Sequence, residues 1–446
     1  MAAASLRRNT VWNLAEVAAS SLVLFVLYRL ILDRLGVTAL GIWSLVLATI
    51  SFARFADLGA ASSLGRYVAL AQAKGEDEHG ALLYVETALI TNALLYLSLG
   101  LILYWPAWWA LGLVTDGVAT EQARELLPFA VGVFVLQNVA SVLTSALIGF
   151  HLSYQKSMLM LVALAIQAAV ALTTIGSLGL RGVALAQIAQ YLLLLVFGWC
   201  LAIRASTGKF RFALPHRMGL KPLRDLIGFG LRLQALNLAL FLYDPATKFV
   251  LTATLGLATL GIYEAASRGI QQVRQLVTAP SQNLTPLFTA ELHTNPSGVH
   301  VIYERSFVAI FLASAASMGA MSIGSPVISF IWFGQFNPIF VVFSVILAAG
   351  WFVNMITVPA FHLGIAAARI RWNIMGCAVI SLLGPASAYL LAGSFGAPGG
   401  AVGIMSAVIA GSLITAIMNV KDAKIKFLPP LGRFRGTTRQ LLRIGS

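Results

Sequence analysis

Five polar side chains recur at helical spacing within the apolar stretch from Gly256 to Ala279. The separations of the later four from the first are 4, 7, 8 and 11 residues, which places them all on one face of a helix: Glu264, Arg268, Gln271, Gln272 and Gln275. The stretch is long enough to cross a membrane, where a charged face turned toward lipid is costly. We therefore expect this face to line an internal cavity that binds a polar or charged ligand.

Arg268 lies near the middle of this predicted span, roughly 18 Å from its start at 1.5 Å per residue. An unpaired arginine at that depth costs roughly 2.5 to 3.5 kcal/mol on insertion scales, and Glu264 one turn earlier can pair with it. Two interpretations stay open, a structural ion pair and a site for substrate or an ion. The three glutamines favour the second, because a simple pair does not need them.

A second polar face precedes this one, where Asn237, Asp244 and Lys248 cluster on a helical wheel. Pro245 removes a backbone hydrogen bond directly after Asp244, which predicts a bend. A bend beside a carboxylate suits a gate that responds to protonation. A plain Asp244–Lys248 pair at i, i+4 is the equal alternative.

Arginines and acids in the other spans complete the candidate set. Within the predicted spans, six cations stand against four acids, which favours an anionic substrate, and arginine suits bidentate contact with phosphate. Arg54 and Arg274 lie nearer span ends, so they either line the cavity or snorkel. The predicted substrate-binding residues are Arg268, Arg54, Arg274, Lys248, Gln271, Gln272, Gln275 and Asn237. The predicted ion-coupling or gating residues are Asp244, Glu264, Glu16 and Pro245.

The elements that position these residues are membrane helices. The chain has 446 residues, of which 59% are hydrophobic and 10% charged, and its mean hydropathy is +0.86. This composition predicts an all-α polytopic membrane protein, and long apolar runs exclude a membrane β-barrel. Twelve runs suit a hydrocarbon core about 30 Å thick. They cover approximately 11–32, 36–58, 81–104, 127–150, 157–178, 182–203, 226–252, 256–279, 302–333, 338–363, 372–394 and 401–420.

The net charge of +14 follows the predicted topology rather than indicating a nucleic-acid partner. Of the 30 lysines and arginines, 21 fall on one side of the membrane, 3 on the other and 6 within spans. By the positive-inside rule both termini are cytoplasmic. The basic tail is a topology signal or, alternatively, a site for anionic lipid.

An internal repeat divides the chain. The residues Gly36-Val37-Thr38-Ala39-Leu40-Gly41-Ile42-Trp43 recur 220 positions later as Gly256-Leu257-Ala258-Thr259-Leu260-Gly261-Ile262-Tyr263, and Arg54 and Arg274 keep the same offset. A weaker echo at an offset of 217 relates Ser177–Gly182 to Ser394–Gly399. Because each repeat has six spans, an even number, the two lobes are parallel repeats with a binding site expected between them. The predicted domains are a lobe at 1–205, a basic cytoplasmic hinge at 206–224, a lobe at 225–420 and a basic cytoplasmic tail at 421–446.

Other chemistries lack their signatures. The chain has no phosphate-binding Gly-x-x-x-x-Gly-Lys-[Ser/Thr] loop. Its six histidines lie in loops or at span ends without metal-ligand spacing, and Cys200 and Cys377 suit apolar packing. We therefore expect no cofactor, no metal and no ATP hydrolysis.

Several short motifs resemble a known family. They are Arg8-Asn9-Thr10 with Trp12-Asn13, Leu35-Gly36 followed by Leu40-Gly41-Ile42-Trp43, and Phe55-Ala56-Asp57-Leu58-Gly59. In this order, with twelve spans in two lobes, the chain resembles the Wzx-type polysaccharide flippases of the multidrug/oligosaccharidyl-lipid/polysaccharide exporter superfamily. Lipid II flippases of that superfamily add two spans that this chain lacks.

The resemblance implies a function. Such proteins move undecaprenyl-pyrophosphate-linked oligosaccharides from the cytoplasmic to the periplasmic leaflet of the bacterial inner membrane by alternating access, with ion coupling inferred for the family. Polysaccharide polymerases and glycosyltransferases are the partners it implies. The alternatives are a cation-coupled multidrug exporter and a membrane polysaccharide polymerase or ligase. The predicted positive interior disfavours the exporter, and the short external loops disfavour the enzyme.

Overall fold

The computed structural model describes residues 2–56, 59–73, 78–209, 213–228, 241–295 and 298–430. Within these ranges the chain is helical and contains no β-strand. It divides into two compact units, Met1–Leu238 and Ala239–Ser446. Nine of the described helices are long and apolar enough to cross a membrane. Three of the nine contain a glycine in a non-helical conformation, so each of these three can supply two spans. The nine helices are therefore consistent with the predicted count of twelve spans.

The described part of the first unit contains seven helices. Their bounds are α1 Ala2–Ser51, α2 Ala60–Ala73, α3 Glu78–Val114, α4 Gly117–Gly149, α5 Ser153–Leu178 and α6 Leu180–Thr207, with α7 described over 220–228. A 3₁₀ turn, Phe52–Ala56, follows α1. The core is formed where α2, α3, α4 and α6 meet, around fully buried Leu64, Val85 and Val142. Apolar side chains that leave water together stabilise such a core.

The second unit repeats this order, with α13 continuous over the counterparts of α5 and α6. Its helices are α8 Tyr243–Thr278, α9 Leu284–Thr294, α10 Val299–Phe333, α11 Pro338–Ile356, α12 Val358–Ala366 and α13 Arg371–Asp422, with a 3₁₀ turn at Ala279–Asn283. Its core is rich in aromatic pairs, such as the edge-to-face contact of Tyr263 with Phe343 at 5.8 Å between centroids. Such aromatic pairs stabilise the core beyond the contribution of the apolar surface that they bury.

The backbone confirms the internal repeat residue by residue. Gly36 and Gly256 adopt nearly the same conformation, with φ 82°, ψ 172° and φ 80°, ψ 170° respectively. Three further pairs of positive-φ residues are separated by 217 positions, namely Gly117 with Gly334, His151 with Ala368, and Gly179 with Gly396. Two of these residues, His151 and Ala368, are not glycines, and positive φ is uncommon for such residues. The paired turns show that both units follow one backbone plan.

Residues at the start of the predicted second lobe, directly after the predicted hinge, are bound to the first unit. Leu226 is fully buried in the core of that unit, and its carbonyl accepts a hydrogen bond from Ser63 Oγ at 3.0 Å. The structural division at Leu238/Ala239 thus lies after residue 225, where the second lobe was predicted to begin. The predicted lobe bounds and the hinge role stay predictions.

Candidate functional site

A cavity of about 580 Å³ lies within the second unit, between α8, α11, α12 and α13. Its polar lining is dominated by guanidinium, carboxamide and hydroxyl groups. Three residues of the predicted α8 face take part, Arg268, Gln271 and Gln275, together with Arg274, which was predicted separately. The aromatic side chains of Tyr243, Trp351 and Phe361 form much of the remaining wall. The cavity therefore combines hydrogen-bond donors with apolar faces.

Arg274 is held in this wall by an aromatic ring and two carboxamides. Its guanidinium carbon lies 4.5 Å from the centroid of the Trp351 ring, a cation–π contact. Its Nε and Nη2 donate to Asn354 Oδ1 at 3.3 and 3.1 Å, and its Nη1 donates to Gln271 Oε1 at 3.4 Å. Asn354 is fixed in turn, because its Nδ2 donates to Ser412 Oγ at 2.8 Å. This chain of contacts orients a planar cation toward the cavity.

The charge on Arg274 is not neutralised by the described part of the chain. Within that part no carboxylate oxygen lies within 4 Å of its guanidinium nitrogens. Carboxamides accept its hydrogen bonds but carry no charge. An anionic ligand would therefore gain a charge-assisted contact that the protein itself leaves open.

The first unit contains the repeat-related pair. Arg54 corresponds to Arg274, and its Nη2 donates to Gln137 Oε1 at 3.5 Å, a long hydrogen bond. Gln137 precedes Asn354 by 217 residues, so an arginine faces a carboxamide at equivalent positions in both units. Arg54 Nε is buried without a hydrogen-bond partner. The arginine–carboxamide contact is thus a property of the repeat.

Four charged residues of α8 form a continuous network beside the cavity. Lys248 Nζ lies 3.0 Å from both Asp244 Oδ2 and Glu264 Oε2, and Arg268 Nε lies 2.7 Å from Glu264 Oε1. The side chains of Lys248 and Glu264 are 3% and 4% exposed, whereas those of Asp244 and Arg268 are 55% and 44% exposed. The buried pair at the centre needs both partners, because either charge alone would be strongly destabilising there. The two exposed ends are the groups that can meet a ligand.

The other predicted residues take different places. Gln272 and Lys248 are not part of the cavity wall, and Asn237 lies outside the described residues. Pro245 lies in the first turn of α8, just after an interruption of helix at Leu242. The missing proline N–H leaves the carbonyl four residues earlier without its helical donor, which accounts for a break at this point.

Glu16 belongs to the first unit, where both of its carboxylate oxygens accept hydrogen bonds from Lys156 Nζ at 2.7 and 2.9 Å. This partner lies on α5, far away in sequence. The ion-coupling role of Glu16 stays a prediction.

Several cavity residues went unrecognised in the sequence, among them Trp351, Asn354 and His362. Trp351 and Asn354 sit in an apolar run without a polar stripe, and His362 was grouped with histidines expected to be incidental. His362 Nδ1 lies 2.8 Å from Thr285 Oγ1 of α9. Counting 217 residues onward from Gln137 gives Asn354, so the repeat offset was the signal that could have found it.

Fold and site together define a class. The chain is an all-α polytopic membrane protein with two six-helix repeats, the fold of transporters and flippases of the multidrug/oligosaccharidyl-lipid/polysaccharide exporter superfamily. The model of the family described as "Polysaccharide biosynthesis protein" matches residues 6–291, and the chain belongs to this family.

Solved structures share the fold at low sequence identity. One is the inward-facing conformation of a multidrug resistance MATE family transporter, with a TM-score of 0.71 and 14% identity over 93% of this chain and 94% of that one. Another is the lipid II flippase MurJ in an inward closed conformation, with a TM-score of 0.66 and 12% identity over 97% and 90%. An outward-facing MATE transporter gives a TM-score of 0.55 and 15% identity over 94% and 95%. A search of curated protein sequences found no significant match.

Proposed function

We propose that this protein is a flippase that translocates an undecaprenyl-pyrophosphate-linked oligosaccharide from the cytoplasmic to the periplasmic leaflet of the bacterial inner membrane, with both termini cytoplasmic. The observation that carries the proposal is the uncompensated guanidinium of Arg274 in a polar cavity of a polysaccharide biosynthesis family member. A pyrophosphate supplies the missing negative charge, and arginine matches its oxygens with paired donors.

The rest of the cavity suits the sugar next to that pyrophosphate. Carboxamides and hydroxyls line it together with aromatic faces, and these groups bind the hydroxyls and the apolar faces of a pyranose. The lipid tail stays in the bilayer while the head group crosses by alternating access. Asp244, at the exposed end of the charged network, is the group best placed to exchange an ion with the cavity.

The test is a deletion strain complemented with variants at matched membrane abundance. Wild type should clear the lipid-linked oligosaccharide that accumulates in the deletion strain and restore surface glycan, and Arg274→Ala should not. Arg181→Ala is the control. Arg181 forms an exposed ion pair with Glu125 in the first unit, and neither residue lines the cavity. Clearance by Arg274→Ala at the wild-type rate would contradict the proposal.

A multidrug exporter is the second candidate. The observation in its favour is that Asp244 presents a carboxylate to a cavity with aromatic walls, which would also suit a lipophilic cation. Under this alternative, the deletion strain would show unchanged glycan intermediates and lower tolerance to cationic drugs. The sum of charges on the wall favours the flippase, because Arg268 and Arg274 stand against Asp244 alone among the described lining residues.

A further inference from the structure

The segment 213–220, named here the strap, joins the end of α6 to α7 and runs over the first unit. Its residues up to 219 have no regular secondary structure. Their exposure alternates, as expected for an extended chain whose successive side chains point to opposite sides. Pro215, Arg217 and Gly219 are partly buried, whereas the exposed residues are Leu214, His216, Met218 and Leu220.

The inward side of the strap is fixed by three contacts with span helices. Trp199 Nε1 of α6 donates to the Ala213 carbonyl, Arg217 Nε donates to Glu86 Oε2 at 2.7 Å, and the Gly219 amide donates to Thr87 Oγ1 at 3.1 Å. Glu86 is buried, with a side chain 3% exposed, so its pair with Arg217 holds the strap in one position.

The outward side of the strap is apolar apart from His216, whose Nδ1 lies 3.0 Å from the Leu214 carbonyl oxygen. Leu214, Met218 and Leu220 are 74%, 50% and 85% exposed. The nearest charged neighbours along the chain with exposed side chains are cations, Lys221 and Arg224. A row of apolar side chains followed by cations is the composition of an interfacial membrane anchor.

The level of the strap along its supporting helices agrees with this assignment. Glu86 lies eight residues from the N-terminal end of α3 and Trp199 lies eight residues from the C-terminal end of α6, which is about 12 Å along each helix axis. The 37 residues of α3 and the 28 residues of α6 make both helices longer than the hydrocarbon core of about 30 Å. The length of α6 beyond the core is about 12 Å, the same as the depth of the strap contacts from its C-terminal end, which agrees with a position near the boundary between acyl chains and head groups.

We propose that the strap docks on the bilayer surface, with Leu214, Met218 and Leu220 inserted among the acyl chains and Lys221 and Arg224 against anionic lipid head groups. A protein partner fits this face less well. Three such side chains offer far less area than the roughly 800 Å² per partner of a stable protein interface. Lipid needs no such area, because each inserted side chain contributes separately.

The test uses the full-length protein in lipid nanodiscs, with Cys200 and Cys377 replaced by alanine and one environment-sensitive fluorophore attached at a new cysteine. Leu214→Cys, Met218→Cys and Leu220→Cys report on the strap, and Lys209→Cys and Asp116→Cys are exposed controls. Brominated acyl chains should quench the three strap labels at least twofold while aqueous iodide does not reach them. The controls should show the reverse pattern.

The lipid charge gives an independent readout. Replacing anionic by zwitterionic lipid, or introducing Lys221→Gln with Arg224→Gln, should reduce the quenching of the strap labels by brominated lipid. Strap labels that iodide quenches and brominated lipid leaves unchanged would overturn the proposal and leave the face in water, free for a soluble partner.

Discussion

Arg274 has a carboxamide where a buried arginine usually has a carboxylate. The contacts to Asn354 Oδ1 and Gln271 Oε1 use three of its five N–H donors without cancelling its charge, and the Trp351 ring supports its plane. A residue so arranged binds an anion at low reorganisation cost, because the groups that orient it are already in place.

Asn354→Asp tests this feature by replacing one NH₂ group with an oxygen. The new carboxylate would pair with Arg274, and its second oxygen would accept a hydrogen bond from the Ser412 hydroxyl in place of the bond that Asn354 Nδ2 donates to Ser412 Oγ, so the fold should persist. We expect clearance of lipid-linked oligosaccharide to fall at least tenfold, as for Arg274→Ala, at normal membrane abundance. Clearance within twofold of wild type would mean that the free charge of Arg274 is not used.

The buried pair of Lys248 and Glu264 predicts a second effect. Glu264→Gln should destabilise the protein by about 3–5 kcal/mol, because it leaves the buried Lys248 with only the exposed Asp244 as its partner. Adding Lys248→Met should recover part of this loss. Thermal unfolding in detergent measures both, and Arg181→Gln of an exposed pair should change stability by less than about 1 kcal/mol. Additive effects of the two buried substitutions would show that they do not interact.

How far these residues could be predicted depended on periodicity. The polar stripe on α8 could be recognised because its polar residues recur every three or four positions in an otherwise apolar stretch. That spacing is the period of a helix. Asn354 and His362 gave no stripe, since α11 and α12 contribute single polar groups to the wall. The pairing of Glu16 with Lys156 joins residues 140 positions apart, a distance that no helical period encodes.

At the scale of elements, two glycine turns set the course of the longest helices. Gly36 and Gly256 occupy positive φ inside α1 and α8, and an added Cβ would meet no atom within 4 Å at either site. The requirement for glycine there is therefore conformational rather than steric.

Replacing either glycine with alanine should show the energetic cost of this backbone conformation. Gly36→Ala and Gly256→Ala should each destabilise the protein by about 1–3 kcal/mol, because a residue with a Cβ is strained at positive φ with extended ψ. Gly319→Ala is the matched control, since Gly319 lies within α10 and also has open space around its Cα. It should be neutral or slightly stabilising in the same thermal unfolding assay. Equal effects at all three sites would contradict a conformational role for the turns.

The order and number of the spans followed from hydropathy, but two elements did not. Residues between the second and third predicted spans form α2, whose polar and small residues gave no membrane signal. The interruption between α11 and α12 lies at Thr357, inside one predicted span, where Pro359 cannot donate a backbone hydrogen bond. Hydropathy averages over about twenty residues and passes over such local breaks.

At the scale of the whole molecule, the two units share their positive-φ turns but differ at the positions that line the cavity in the second unit. The equivalents of Arg268, Ser412 and His362 in the first unit are Ala48, Leu195 and Ser145. Of the charged cavity residues, Arg274 keeps an arginine counterpart, Arg54. The ligand chemistry described here is therefore concentrated in the second unit.

Parallel repeats predict that equivalent turns reach the same side of the membrane. Asp116→Cys and Gln335→Cys, beside the turns at Gly117 and Gly334, should react with an impermeant thiol reagent in intact spheroplasts. His151→Cys and Ala368→Cys should react only after permeabilisation. The experiment needs Cys200 and Cys377 replaced by alanine. Reaction of Asp116→Cys and Gln335→Cys from opposite sides would contradict parallel repeats.

The paired positive-φ turns also indicate how the chain originated. Two copies of one six-helix unit that share backbone geometry but differ in side chains are the expected outcome of a gene duplication, after which selection held the turns and released the residues between them. One copy could then acquire a charged pocket while the other preserved the packing. Cavity positions of the second unit should consequently tolerate far fewer substitutions in a saturation screen than their counterparts in the first, even though the two sets occupy the same places in the repeated backbone.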